Sequence, residues 1–172
     1  MTIRKIAIFC AVGIIGILAF SAFSQDQTFA DPNVDYSFVL PEAKWKMTVK
    51  PSATSPNVEY VYGDRRDTHL DVRKLTVAKD AIMPDIVQDE DRRQFLRRGY
   101  IAGREENFVG FLRGTVFNFE YTEGGYNKSG RFYFLRANPT TVFILRFTGQ
   151  RELLRGIRNQ TDSIVRTFSV KQ

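Results

Sequence analysis

Apolar and polar positions alternate along much of this chain, and the period of the alternation changes between two kinds. YSFVLP sets Tyr36, Phe38 and Leu40 on one face of a short strand, which Pro41 ends. KWKMTV follows, with Trp45, Met47 and Val49 on one face and lysines on the other. Residues 50–57 hold two prolines and three hydroxyl side chains and read as a loop. VEYVYG and THLDVRKLTV are the next strands, turning at residues 63–67. From Pro84 to Tyr100 the period becomes helical, with Phe95, Leu96 and Gly99 on one side. Asp85, Asp89, Glu90 and Asp91 lead this helix and Arg92, Arg93, Arg97 and Arg98 end it, the order a helix dipole favours. Strands return as NFVGFL and GTVFNFEY, and residues 123–130 form a glycine-rich connection. RFYFLR and TTVFILRF, joined through Asn138 and Pro139, make an antiparallel hairpin. Leu153, Leu154, Ile157, Thr161, Ile164, Val165 and Phe168 then recur at three- and four-residue steps, the stripe of a closing helix.

The hairpin fixes the expected architecture. Phe132 and Phe134 point to one face and Tyr133 and Leu135 to the other; Phe143, Leu145 and Phe147 oppose Val142 and Ile144. A ribbon that is apolar on both faces must be covered on both. With one amphipathic helix before it and one after, the expected fold is α+β: a mostly antiparallel sheet flanked by helices on both faces, with the hairpin at its centre. Arg131, Arg136 and Arg146 are expected at strand ends, their stems on aromatic rings and their heads in water.

The N-terminus changes the picture of location. Arg4 and Lys5 precede an apolar run, and Ala22-Phe23-Ser24 offers the small residues a signal peptidase reads. Residues 1–24 are therefore a signal peptide or, if retained, a membrane anchor formed by residues 6–23, which are near the minimum length for crossing a bilayer. Either way the chain is expected to be exported, periplasmic or extracellular after cleavage. Residues 25–34 read as a flexible tether and 35–170 as a single domain. The only cysteine, Cys10, lies in the N-terminal run, so the domain has no disulfide and no thiol nucleophile. Loss of Arg4 and Lys5 leaves 23 basic and 19 acidic residues, a mild excess that favours anionic surfaces such as lipid headgroups but is too dispersed for nucleic acid.

Candidate chemistry is sparse. His69 is the only histidine, and on its strand it shares a face with Asp71 and Arg73 while Leu70 and Val72 point inward. That trio reads either as a small acid/base or anion site or as the wet face of an edge strand. No Gly-x-Ser-x-Gly elbow supplies a nucleophile for it. One histidine and no domain cysteine exclude the usual zinc sets, and the carboxylates of residues 85–91 lack the glycine turn of a calcium loop. No dinucleotide fingerprint is present. We expect no catalytic residues, no metal and no cofactor. Tyr60, Tyr62 and Tyr126 flank the two loops and could line a pocket, or could stack within the sheet. The arginines at 92–98 read as a solvated helix face rather than as a phosphate or RNA patch.

YSFVLPEAKWK, with Phe38, Pro41 and Trp45, and IRNQTDSIVRTFSV, with Ile164, Phe168 and Val170, together resemble the first strands and the last helix of PsbP-like domains. The resemblance covers residues 35–170. It implies the α/β/α sandwich shared with a Ran-binding nuclear import factor and DcrB-type periplasmic proteins, and a role in binding or assembly without shared catalytic residues. The expectation is a non-enzymatic exported protein that binds a protein partner or assists an envelope assembly. The alternatives are a small-ligand or lipid carrier, and a hydrolase using His69. The candidate ligand or partner surface is Tyr60, Tyr62, His69, Asp71, Arg73 and Tyr126.

Overall fold

The computed structural model describes residues 27–63 and 68–171. The signal or anchor at 1–24 and most of the turn expected at 63–67 lie outside the described residues. Strands β3 (Trp45–Val49), β4 (Val58–Tyr62), β5 (Thr68–Thr76), β6 (Ile101–Val109), β7 (Arg113–Glu123), β8 (Tyr126–Asn138) and β9 (Thr141–Gln150) form one antiparallel sheet, in the order β3-β4-β5-β9-β8-β7-β6. The β8–β9 hairpin is central, as its two apolar faces require.

The two faces are covered differently. Tyr133, Leu135, Phe143, Leu145 and Phe147 share a core with Ile164, Val165 and Phe168, while Phe132, Phe134, Val142 and Ile144 share another with Ile86 and Val87. Ile86 and Val87 belong to α1 (Met83–Gln94), which roofs the second core together with the flanking Val77, Ala81 and Tyr100. The first core lies under α2 (Arg151–Gly156), α3 (Arg158–Arg166) and a second sheet. That sheet is β1 (Gln27–Ala30), β2 (Tyr36–Leu40) and β10 (Ser169–Val170), in the order β1-β2-β10. Tyr36 stacks on Phe168 at 5.4 Å between ring centres, so β2 and the residue that leads into β10 seal the same core.

Several expectations are corrected. The tether is structured from Gln27: β1 pairs with β2 and buries Phe29. Its single inward side chain leaves no alternating pattern to read. The YSFVL strand leaves the main sheet for the smaller one, so the chain builds two sheets. The helix expected to reach Tyr100 stops at Gln94, where Phe95 N makes a last helical bond to Asp91 O and Arg97 N turns back to Gln94 O. Phe95 and Leu96 therefore face water. The closing helix breaks at Ile157 into α2 and α3. The glycine-rich connection is a two-residue turn: Gly124 and Gly125 have φ of 59° and 82°, a pair of positive values that favours glycine, and β8 starts at once with Tyr126. Met47 and Val49 do not join Trp45 in the core: β3 is an edge strand, it bulges between Met47 and Val49, and both side chains are exposed. Arg131 and Arg146 are not strand-end cations with wet heads. Each is largely buried and ion-paired, Arg131 to Asp162 and Arg146 to Glu90. Finally, β5 is no edge strand, since β4 and β9 flank it.

Candidate functional site: an arginine-lined cleft

A cleft of ≈ 670 Å³ opens between α2, the start of α3 and strands β6 to β8. Helical spacing explains its roof. Leu154 is the buried residue of α2 and itself lines the cavity; Arg151, three residues before it, and Arg158, four after, stand on the same side, and Arg155 follows it directly. The opposing wall carries Arg131, with Asn118 and Glu120 from β7.

The four guanidinium groups are held unequally. Arg131 is fixed: Nε donates to Tyr133 Oη at 2.5 Å, Nη1 to Asn118 Oδ1 at 2.7 Å and Nη2 to Asp162 Oδ1 at 2.9 Å. Tyr133 Oη also donates to Asp162. Burial pushes the Tyr133 phenol well above the usual tyrosine range; the Arg131 charge opposes this and the Asp162 hydrogen bond adds to it. Arg151 lies between Glu120 at 3.1 Å and Glu152 at 3.3 Å. Arg158 reaches Glu106 of β6 at 3.4 Å. Arg155 is exposed, and its side chain makes no ion pair or hydrogen bond among the described residues. The lining thus carries four arginines against Glu120 and Glu152, and Asp162 and Glu106 beside it pair two of them, which leaves Arg155 as the lining cation with no carboxylate partner among the described residues. Guanidinium forks match carboxylate and phosphate oxygens. The arrangement can hold an anion.

The acid/base groups of the lining are the carboxyls of Glu120 and Glu152. Ser129 is the only hydroxyl side chain in the lining, and the lining holds no histidine. His69 alternates with Leu70 and Val72, which enter the α3-side core, so it stands on the opposite face of the sheet. Among the described residues no three His, Cys, Asp or Glu side chains group as a metal site, and no helix is long and apolar enough to cross a membrane.

The six residues singled out from sequence do not converge. Tyr60 is buried in the α3-side core, and Tyr62 packs on Trp45 at 5.1 Å and hydrogen-bonds Glu42. Tyr126 is exposed at the β7–β8 turn, with β5 and β9 between its strand and theirs. His69, Asp71 and Arg73 alternate with the buried Leu70 and Val72, and Asp71 and Arg73 join a charge network there. Arg73 Nε donates to Asp71 Oδ2 at 2.7 Å, and Arg146 spans from Asp71 at 3.7 Å to Glu90 at 2.5 Å. Glu90 is 3% exposed and also bonds Gln94 and Arg93. This network fastens α1 to the sheet. Sequence reading missed the cleft because a helix arginine reads as solvated until the fold places a wall opposite it; the three- and four-residue spacing of Arg151, Arg155 and Arg158 was the available signal.

No protein-family model matches the chain, and no curated protein matches it. Solved structures do. The Saccharomyces cerevisiae Ran-binding protein Mog1p superposes with a TM-score of 0.61 at 9% identity, over 86% of this chain and 96% of that one. CyanoP, the cyanobacterial PsbP of Synechocystis sp. PCC 6803, gives 0.59 at 15% identity over 94% and 98%. LpqN of Mycobacterium tuberculosis, described as involved in cell envelope biogenesis, gives 0.58 at 15% over 86% and 92%. The chain spans about half, 49%, of a Bacteroides thetaiotaomicron protein that it matches at 0.60 and 12% identity. At such identities the likeness is one of fold.

Proposed function

We propose that this chain, whose fold is that of PsbP and Mog1p, is a non-enzymatic exported domain that binds a protein partner in an envelope assembly. The arginine-lined cleft is the observation that carries the reading, and the segment it takes is acidic. Arg155 offers an uncommitted fork, and Arg151 and Arg158 can exchange exposed carboxylates of their own chain for those of a partner. Beside the cleft, β6 is the sheet's edge and is mostly exposed, so an extended segment can align along it. A Ran-binding protein and a protein of envelope biogenesis among the structural neighbours agree with a role in association. The N-terminal run supports export, with residues 6–23 as anchor if they are kept.

Affinity capture from envelope extract with the full chain and with Arg155→Glu/Arg158→Glu tests this. A partner held by the first, lost with the second and released by salt supports it; a partner held equally by both contradicts it. The volume of the cleft also suits a small anionic molecule, which gives the carrier reading its specific footing. Native mass spectrometry after mild extraction separates the two, because a carrier retains added mass.

A further inference from the structure

Phe95 and Leu96 are consecutive, large and apolar, and they are 71% and 90% exposed. They stand eight to ten residues beyond Ile86 and Val87, off the buried stripe of α1, and turns follow the helix end at Gln94. The projection is stiff. Thr122 N donates to Arg98 O at 2.8 Å, Tyr100 Oη donates to Asp91, and the Phe95 ring meets the Tyr100 ring edge-on at 6.1 Å. Tyr126, paired with Glu123 across the β7–β8 turn, is exposed at the same corner, since Glu123 lies 3.6 Å from Arg97.

Charge gathers around this tip. Arg92, Arg93, Arg97 and Arg98 surround it; Arg92 pairs with Asp89, Arg93 with Glu90 and Arg97 with Glu123, all but Glu90 through exposed carboxylates that anionic headgroups can replace, while Asp91 is held by Tyr100. Arg98 makes no side-chain ion pair or hydrogen bond among the described residues. From these observations we propose that the Phe95–Leu96 tip docks the domain on an anionic lipid bilayer, with the two apolar side chains at the acyl boundary and the arginines at the phosphates. Two apolar side chains on a convex turn are too small a core for a stable protein interface, which needs about 800 Å² per partner. They suit an interface of headgroups and acyl chains, where basic residues add electrostatic attraction. A tip already rigid loses little freedom on docking.

The test places a polarity-sensitive dye on the full chain through Leu96→Cys in a Cys10→Ser background, with Met47→Cys, on the opposite edge strand, as the control. Because residues 6–23 can themselves hold the chain on vesicles, the local signal is read rather than total binding. In phosphatidylglycerol vesicles the dye at 96 shifts to the blue and is quenched by bromolipids, the dye at 47 does neither, and Arg98→Glu with Arg93→Glu weakens the shift. In phosphatidylcholine vesicles the shift is small. A dye at 96 that stays in water on vesicle-bound chain overturns the proposal, and so does one that becomes buried only when envelope protein is added. A shift equal at 96 and 47 also overturns it.

Discussion

Arg131 Nη2 meets Asp162 Oδ1 at 2.9 Å, which ties the wall of the cleft to α3. Asp162 also accepts from Tyr133, so one carboxylate holds two buried donors. Asp162→Ala strands a guanidinium that is 8% exposed and should cost about 3–5 kcal/mol in urea unfolding. A loss near zero would mean water replaces the carboxylate and the wall is not built on this pair.

The double-sided hairpin makes a second claim. Phe134 and Phe143 point to opposite cores and both are fully buried. Alanine at either position should cost about 3–5 kcal/mol. Equal losses from residues on opposite faces are the expected signature of a sheet covered on both sides.

Gly130 lies under Phe119: a Cβ there would stand 2.1 Å from the ring's Cζ. Gly130→Ala should therefore destabilise by about 1–3 kcal/mol through overpacking. Adding Phe119→Leu should recover part of that loss, a coupling that a double-mutant cycle measures. Additive losses would show that the ring moves aside freely.

Buried tyrosines set the alkaline limit. Burial pushes Tyr60 up to about 12, and raises Tyr36, Tyr100, Tyr121 and Tyr133 as well. Above pH 10, the ordinary value, the unfolded chain loses these protons while the folded one keeps them. Stability is then fully present below pH 10 and falls as pH rises, by up to about 1.4 kcal/mol per pH unit for each such tyrosine. Tyr60→Phe should flatten the fall between pH 10 and 12. A pH-independent denaturation midpoint across that range would contradict the assignment.

The layers were legible because Phe132 to Leu135 and Val142 to Phe147 carry their burial on both sides within the strand itself. The end of α1 was not legible: Phe95, Leu96 and Gly99 keep helical spacing among themselves, but they lie off the stripe of Ile86 and Val87, and the chain turns from Gln94 to Tyr100. Nor was the pairing of charges. Arg131 and Glu90 look like solvated residues in the sequence, and they become buried partners of Asp162 and Arg146 only through contacts across 31 and 56 residues. His69, Asp71 and Arg73 alternate with Leu70 and Val72 as the period of two places them, but nothing local announced that Arg146 and Glu90 would join Asp71 and Arg73 there.

The central claim is that the cleft binds an acidic segment through arginine. Fluorescence anisotropy of a labelled polyglutamate peptide, titrated with the full chain and with Arg155→Glu/Arg158→Glu, tests it most directly. The account predicts saturable binding that weakens with salt and falls at least about tenfold in the double variant, a loss of about 1.4 kcal/mol. Equal affinity of the two chains, or no binding by the unaltered one at low salt, would contradict it.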